Sequence, residues 1–260
     1  MGINVLSLFD GLSGGQIALN KAGVKYNKYY ASEIEPQPIQ MTLNNYPNTI
    51  QIGDVTKVKF SSLGKINLLI GGSPCQDLSG LKNGKGLEGE KSRLLHKFVE
   101  AKKELKPKYF LLENVVPRKK EWKEQIDELM GVVGVEINSD LFVPQNRPRI
   151  YWTNIPILEL PKRPNWNRTY YQYRRTYFRA NKSGVCPCLT ANMGTGGHNV
   201  PLHSMDLADK LAPEECEKLQ GVPVGYTKVF ANCHRYKALG NGWTVDVIAH
   251  IFKGLLNENL

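Results

Sequence analysis

The sequence has no apolar stretch close to the roughly 20 residues that a membrane-spanning helix requires, and no run resembles a secretory signal. Its cysteines are few and odd in number, five in 260 residues, and none forms a C-x-x-C pair. That pattern argues against a disulfide framework and against a zinc site. Internal repeats and low-complexity segments are also missing. We therefore expect a reduced, soluble, cytoplasmic protein without a bound metal, with enough residues to bury one large core.

Acidic residues are scarce relative to basic ones, 24 Asp and Glu against 34 Lys and Arg, which gives a formal net charge of +10. Between residues 161 and 182 there is no acid, and basic residues alternate with aromatic ones. The basic residues are Lys162, Arg163, Arg168, Arg174, Arg175, Arg179 and Lys182, and the aromatic residues are Trp166, Tyr170, Tyr171, Tyr173, Tyr177 and Phe178. A solvated face would explain the charges but not the aromatic residues beside them. The mixture favours a polyanionic partner that is held by phosphate contacts together with stacking or groove packing.

Short apolar runs alternate with amphipathic stretches through residue 155. They predict strands over 3–9, 28–33, 66–72 and 108–114, helices over 14–22, 36–45, 92–105 and 119–130, and final strands over 136–142 and 149–155. This alternation predicts an α/β fold whose mainly parallel sheet is covered on both faces. Ligands of such sheets bind beyond the carboxyl ends of the strands. Six residues fall there and should meet on one rim: Phe9, Asp10, Glu33, Cys75, Glu113 and Asn114.

The same pattern divides the chain into three parts. Residues 1–155 form the α/β domain, and residues 156–210 lack a helical period and are rich in Pro, Gly, Asn and Thr, which predicts a small irregular domain. Residues 211–260 are helical again, with a clear amphipathic helix over 243–256, and should return to the first domain.

The stretch "LFDGLSGG" turns from a strand into a helix through glycines, and Glu33 follows at the end of the second strand. Gly-rich turns let a ligand approach the backbone, and an acid in that place accepts hydrogen bonds from ribose hydroxyls. The glycines do not follow G-x-G-x-x-G, so NAD is disfavoured. Asp54 is a second acid that could meet an adenine amine. Turn glycines beside an ordinary surface acid remain the alternative.

Cys75 lies in "LIGGSPCQDLSG", where a strand passes into a loop of Gly, Ser, Pro and Gln. A buried, inert cysteine would not need such a loop, whereas a nucleophilic thiolate needs partial exposure and positive partners. Glu113 ends the apolar strand "YFLLEN", where a carboxylate is costly unless it binds a partner or carries a proton. Arg147 and Arg149 are two apart and would share a face if extended, available to a carboxylate, a phosphate or a carbonyl; structural ion pairing is the alternative.

Eight segments in this order resemble the motif set of cytosine carbon-5 DNA methyltransferases, the bacterial, phage and animal enzymes that use S-adenosylmethionine. They are "FDGLSGG", "ASEIE", "GDVTKV", "GGSPCQDLS", "LLENV", "QNRPRIY", "KLAPEECEKLQG" and "ALGNGWTVDVI". The resemblance covers nearly the whole chain except about 156–185. "GSPCQDLS" and "RIYWTNIP" are most similar to the animal de novo branch, and "LTANMGTGGHNVP" to bacterial and phage enzymes. Two positions depart from the family: Ser13 replaces the second glycine of F-x-G-x-G, and Cys188-Leu189 replaces a Thr-Leu pair.

The resemblance implies a Rossmann-like methyltransferase core with a target-recognition domain over 156–210. It implies that the Cys75 thiolate adds to carbon 6 of a flipped-out cytosine while Glu113 holds nitrogen 3, with Arg149 and Arg147 supporting the carbonyl oxygen and Glu113. The residues implied for the cofactor are Phe9, Asp10, Gly11, Ser13, Gly14, Glu33, Ile34, Asp54, Val55, Ser73, Pro74, Leu94, Asn241 and Trp243.

Those implied for DNA are Gln76, Ser79, Leu81, Arg163, Arg174, Arg175, Arg179, Asn192, Gly194, Thr195, Gly196 and Gly197. The loop from Gln76 to about Glu90 would close over the DNA, with Leu81 filling the gap that the flipped base leaves.

The implied partner is double-stranded DNA, bound by a monomer, with a cognate restriction endonuclease as a further candidate partner. Two alternatives remain open at this level: the branch of the family that methylates a tRNA, and a catalytically inactive DNA-binding member. The tRNA branch carries a Cys-Phe-Thr signature where this chain has "PCLTANMG", and inactive members lose the Cys or the Glu that are present here. The DNA recognition sequence does not follow from the sequence.

Overall fold

A computed structural model describes residues 2–73, 92–174, 176–194 and 199–257 of the chain. Its centre is a seven-stranded sheet in the order β3-β2-β1-β4-β5-β7-β6. The strands are β1 (Ile3–Leu8), β2 (Tyr26–Ser32), β3 (Ile50–Gln51), β4 (Leu68–Gly72), β5 (Tyr109–Val115), β6 (Val135–Asn138) and β7 (Pro148–Thr153). The first five strands are parallel, and β7 is antiparallel to both β5 and β6. The predicted α/β fold with a mainly parallel sheet is therefore confirmed.

Helices cover both faces of the sheet because alternate strand residues point to opposite sides. The helices are α1 (Gly14–Ala22), α2 (Pro36–Asn45), α3 (Ser92–Leu105), α4 (Lys120–Met130), α5 (Pro213–Leu219), α6 (Asn232–Asn241) and α7 (Val245–Lys253). On one face Val5 packs in a core with Ile17 of α1 and Phe252 of α7. On the other face Leu6 packs with Phe98 of α3. The C-terminal segment thus completes the first core, since α7 lies against α1.

Most of residues 156–210 has no regular secondary structure, but three short strands in it form an antiparallel sheet that the sequence pattern does not predict. These are β8 (Tyr170–Arg174), β9 (Tyr177–Asn181) and β10 (Val200–Leu202), in the order β10-β8-β9. Their aromatic and basic residues do not give the apolar–polar alternation that identifies a half-buried strand.

Two predicted elements end three or four residues early, most of the other strands differ from the predicted bounds by one or two residues, and the short strand β3 is not predicted. The strand expected over 136–142 stops at Asn138, whose side-chain oxygen accepts hydrogen bonds from the backbone nitrogens of Asp140 and Arg147, and a 3₁₀ turn follows. The helix expected over 243–256 is α-helical only from Val245 to Lys253 and ends in a 3₁₀ turn. No helix among the described residues is long and apolar enough to cross a membrane.

The turn between β1 and α1 is tight. Phe9 and Ser13 both adopt left-handed backbone conformations, with φ of 59° and 62°. The family pattern has glycine at the second of these positions, which fits the left-handed conformation observed there. Ser13 tolerates it as a buried residue whose hydroxyl accepts a hydrogen bond from the Gln16 amide at 2.8 Å.

Candidate active site

A cavity of about 500 Å³ opens above the carboxyl ends of β1, β2, β4 and β5. Of the residues implied for the cofactor, those that line it are Phe9, Asp10, Gly11, Gly14, Glu33, Ile34, Asp54, Val55, Ser73, Leu94, Asn241 and Trp243. Glu113, Arg147 and Arg149 border the same cavity. Ser13 does not line it. The structure therefore brings most of the sequence-predicted site together in one space.

Glu33 joins the ends of two neighbouring strands. One of its carboxylate oxygens accepts a hydrogen bond from the backbone of Gly11 at 2.8 Å, and the other accepts from the backbone of Ile34 at 2.7 Å and of Glu35 at 2.9 Å. The carboxylate thereby shapes the turn after β1 while it borders the cavity. Beside it the side chain of Ile34 is 69 % exposed, an apolar surface without a protein partner to cover it among the described residues.

Asp10 is a buried carboxyl group with one unused oxygen. Oδ1 accepts a hydrogen bond from the Tyr29 hydroxyl at 2.7 Å, and Oδ2 has no hydrogen-bond partner within the described parts of the chain. Burial raises the pKa of Asp10 to about 6, and the nearby hydroxyl groups of Ser7, Tyr29 and Ser13 offset this only in part. Since Asp10 borders the cavity, a cation bound there would stabilise the ionised form of this carboxyl group.

Asp54 lies in the opposite electrostatic situation. Its carboxylate accepts hydrogen bonds from the backbone nitrogen and the hydroxyl of Thr56, at 2.9 and 2.8 Å. These bonds to Thr56 hold the pKa of Asp54 below its ordinary value. Asp10 and Asp54 thus offer one carboxyl group that is costly to ionise and one that stays ionised.

Glu113 is fixed at the other end of the cavity by two donors. Its Oε1 lies 2.9 Å from Nε of Arg149, and its Oε2 accepts from the Trp243 indole nitrogen at 3.1 Å. The antiparallel register of β7, which pairs Arg149 with Val115, puts the guanidinium beside the carboxylate. All three side chains border the cavity.

Asn114 holds the chain end that leads to Cys75. Its side-chain amide donates to the carbonyl oxygen and the hydroxyl of Ser73, at 3.2 and 2.9 Å. Ser73 is the last described residue before the loop that carries the predicted nucleophile. The predicted site residues that lie outside the described residues are Pro74, Cys75, Gln76, Ser79, Leu81, Arg175, Thr195, Gly196 and Gly197.

Arg147, predicted to support the base and Glu113 together with Arg149, has other partners. Its side chain is 4 % exposed, and its terminal nitrogens donate to three carbonyl oxygens: Leu189 at 2.8 Å, Gly240 at 3.0 Å and Gly242 at 2.8 Å. The same guanidinium lies 3.3 Å from the Cys188 sulfur, and Arg149 lies 3.9 Å from it. Burial alone would raise the pKa of the Cys188 thiol, but these two arginines bring it below its ordinary value.

The basic residues predicted for DNA separate into two groups. Arg163 is held within the protein by an ion pair with Asp140 at 2.7 Å and a hydrogen bond to the carbonyl oxygen of Ser183 at 3.1 Å. Arg174 on β8 and Arg179 on β9 are exposed on the small sheet, where Arg174 also donates to the Asn199 side chain at 3.0 Å. Asn192 and Gly194 lie in the segment that leads back toward β10.

Sequence reasoning missed several contributors to the site, and two of them bind carboxylates at the cavity. Tyr29, the donor to Asp10, is buried in β2, and its place two residues before buried Ala31 is the periodic signal that could have identified it. Lys237 of α6 borders the cavity and forms an ion pair with Glu35, the residue before α2. No cluster of three or more His, Cys, Asp or Glu that could hold a metal occurs among the residues that the structure describes.

A sheet of this topology with a cofactor-sized cavity at its carboxyl rim defines a Rossmann-like methyltransferase core. Residues 3–159 and 155–257 match the family described as C-5 cytosine-specific DNA methylase, and the chain belongs to that family. It is 29% identical to the type II methyltransferase M.Bsp6I of Bacillus sp. strain RFL6, over 99% of this chain and 100% of that protein. It is 33% identical to the orphan methyltransferase M.SPRI of Bacillus phage SPR, over 64% of this chain and 40% of that protein. The solved structure of the Entamoeba histolytica methyltransferase EhMeth shares the fold, with a TM-score of 0.74, 17% identity and 99% of each chain covered.

Proposed function

We propose that this DNA (cytosine-5-)-methyltransferase transfers a methyl group from S-adenosylmethionine to a flipped-out cytosine in a short specific duplex sequence, through a covalent adduct with Cys75. The observation that carries the proposal is the placement of Glu113. It is buried, bound by Arg149 and Trp243 at the rim of the cofactor-sized cavity, and it is next to Asn114, which holds Ser73, two residues before Cys75. Covalent activation of a pyrimidine needs a carboxyl group and a thiol, and Glu113 supplies the first close to the chain that leads to Cys75.

The residues around the cavity suit S-adenosylmethionine. The carboxyl group of Asp10 at the cavity complements a cationic group, the exposed apolar side chain of Ile34 can cover an aromatic base, and the carboxylates of Glu33 and Asp54 can accept from ribose hydroxyls and an adenine amine. When bound, S-adenosylmethionine supplies the electrophilic methyl group that carbon 5 receives.

The chain's own residues account for the activation of the base. Cys75, as a thiolate, forms a bond to carbon 6, and Glu113 holds the proton at nitrogen 3, so that electron density moves to carbon 5. Arg149 keeps Glu113 oriented and supports the carbonyl oxygen as the ring becomes electron rich. After methylation the carbon-5 proton leaves to a base, and the electron pair of that bond expels Cys75.

We assign target recognition to residues 156–210, between a catalytic domain over 1–155 and a returning segment over 211–260. Support comes from the small sheet, where Arg174 and Arg179 are exposed next to aromatic residues, and from the net charge of +10. The protein would act as a monomer, and a restriction endonuclease of the same specificity is the candidate partner.

The test is methylation mapping followed by adduct trapping. The chain is expressed in a host without cytosine-5 methylation, and bisulfite sequencing of the host DNA should reveal one short methylated sequence. A duplex with 5-fluorocytosine at that position should then form a denaturation-resistant adduct, because fluorine cannot leave carbon 5 as a proton does. The Cys75→Ala variant should form none, whereas Cys233→Ala, at an exposed cysteine, should behave as the unmodified protein.

Absence of methylated cytosine, together with normal binding of S-adenosylhomocysteine by the purified protein, would point to an inactive family member and refute the proposal. Methylation of tRNA transcripts but not of duplex DNA would move the chain to the tRNA branch. Methylation without any trapped adduct would overturn the covalent step alone.

A further inference from the structure

Helix α6 lies between the cofactor cavity and the predicted DNA-reading segment. His234, Lys237, Ala238 and Asn241 recur on one side of this helix and border the cavity. Tyr236, on the other side, packs against the segment that runs from Cys188 to Gly194. Helix α6 thus contacts both the cavity proposed for the cofactor and the segment proposed for DNA.

The contact between α6 and this segment leaves no room for a side chain. A methyl group at Gly240, near the end of α6, would lie 2.2 Å from the carbonyl carbon of Thr190. A methyl group at Gly194 would lie 2.6 Å from the Tyr236 ring. Both distances are far below an ordinary carbon–carbon contact of about 3.5–4.0 Å, so the segment and the helix are in direct contact and no further atom fits between them.

Arg147 also joins α6 to this segment. Its guanidinium donates to the carbonyl oxygen of Leu189 in the segment, and to those of Gly240 and Gly242, which flank Asn241 in the cofactor cavity. A buried guanidinium whose terminal nitrogens donate to backbone carbonyl oxygens holds the main chain in place. Here it holds α6 and the 188–194 segment against each other.

We propose that Arg147, Gly240 and Gly194 couple target recognition to cofactor binding, so that duplex DNA on the 188–194 segment tightens cofactor binding through α6. Arg147 is then a positioning residue. The inference rests on the proposed function, because it requires the duplex to contact the 188–194 segment, which contains the predicted DNA-binding residues Asn192 and Gly194. Coupling of this kind is reciprocal, so the cofactor must tighten duplex binding by the same factor.

The experiment measures the dissociation constant of S-adenosylhomocysteine by calorimetry, with and without a synthetic duplex that carries the sequence mapped by bisulfite sequencing. Wild-type protein should bind the cofactor product at least about fivefold more tightly with the duplex, the lower end of ordinary allosteric coupling. Arg147→Met and Gly194→Ala should reduce this ratio to less than about twofold. Gly254→Ala, where a methyl group would lie 2.0 Å from the carbonyl oxygen of Pro156, is the matched control for a steric clash away from both sites, and it should keep the wild-type ratio.

The ratio separates coupling from a purely structural role, because a structural defect weakens cofactor binding equally with and without duplex. An unchanged ratio in both variants, or a wild-type ratio of one, overturns the proposal while methylation of the mapped sequence leaves the proposed function intact. Gly194→Ala leaves the hydrogen bonds of Arg147 in place, so it gives a second test if Arg147→Met does not fold. A wild-type ratio of one, measured for either ligand, overturns the proposal whether or not the variants fold.

Discussion

The carboxyl group of Asp10 should make cofactor binding strongly dependent on pH. Burial raises its pKa to about 6 from the ordinary 3.8, and Asp10 is one of the residues that line the cavity. S-adenosylmethionine carries cationic groups that would favour the ionised carboxylate. Because the ligand binds the ionised form, affinity should be constant above about pH 7 and fall roughly tenfold, or about 1.4 kcal/mol, for each pH unit well below 6.

The same group should destabilise the unliganded protein. A carboxyl group whose folded pKa is raised binds more protons in the native state, so the free energy of unfolding falls as pH rises from about 4 to about 6. The shift of about two pKa units corresponds to a penalty of about 3 kcal/mol that is fully present above pH 6. Asp10→Asn should therefore raise stability at pH 8 by up to this amount while it weakens cofactor binding. Opposite signs in the two measurements are what a ligand-directed carboxylate predicts.

Calorimetric titration with S-adenosylmethionine from pH 5 to pH 8, and urea unfolding over the same range, check both effects. Asp54→Asn is the matched control, since hydrogen bonds from Thr56 lower the pKa of Asp54 and keep it ionised throughout. That variant should weaken binding without removing the pH dependence. Affinity in the wild type that is flat from pH 5 to pH 8, or a pH dependence that survives in Asp10→Asn, would refute the reasoning.

Three further predictions concern catalysis, DNA binding and stability. Glu113→Gln should lower methyl transfer by about 10²–10⁴-fold, the ordinary contribution of a positioned acid, with cofactor affinity little changed; tritiated-methyl incorporation measures it, and near-normal turnover would remove Glu113 from the chemistry. The double variant Arg174→Gln/Arg179→Gln should reduce the slope of log affinity for DNA against log salt by about 0.9 for each phosphate that the protein no longer neutralises. The control Lys25→Gln/Lys28→Gln, at the amino end of β2, should leave the slope unchanged. Equal slopes in the two double variants would show that Arg174 and Arg179 do not contact phosphates. In Glu217→Gln a fully buried carboxylate loses its charge beside Arg235, and the free energy of unfolding in urea should fall by about 3–5 kcal/mol. Glu214→Gln, at the exposed partner of the same arginine, should lower it by less than about 1 kcal/mol. Similar losses in the two variants would contradict the role of burial.

The sequence predicted the rim because its strands are nearly continuous apolar runs with a polar residue directly after each. Phe9, Asp10, Glu33, Glu113 and Asn114 all border one cavity, as their shared position at strand ends indicated. Local pattern is sufficient there, since parallel strands place their carboxyl ends at the same edge.

What the sequence could not predict is set by contacts between distant segments. Arg147 and Arg149 were expected to act together, yet only Arg149 contacts Glu113, and Arg147 contacts carbonyl groups that lie 42 to 95 positions further along the chain. Arg163 is exposed and forms an ion pair with Asp140, 23 residues earlier, a partner that the sequence pattern does not reveal, and its contact with DNA stays a prediction. Charge identifies a residue that needs a partner, and only the packed structure decides which one it has.

The reversed direction of β7 explains how Arg149 comes to lie beside Glu113 at the edge of the cavity. β7 begins at Pro148, and its antiparallel pairing places Arg149 opposite Val115, beside Glu113, at the carboxyl end of β5. A parallel β7 would begin at the amino end of β5 near Tyr109, four residues or roughly 13 Å from Glu113 at about 3.3 Å per residue. The guanidinium could not bridge that distance, and Glu113 would remain a buried carboxylate without its cation. The reversal also brings the residue before β7, Arg147, to the same edge, where it meets the ends of α6 and the 188–194 segment. One change of strand direction thus brings Arg149 to Glu113 and, two residues earlier in the chain, Arg147 to the ends of α6 and the 188–194 segment.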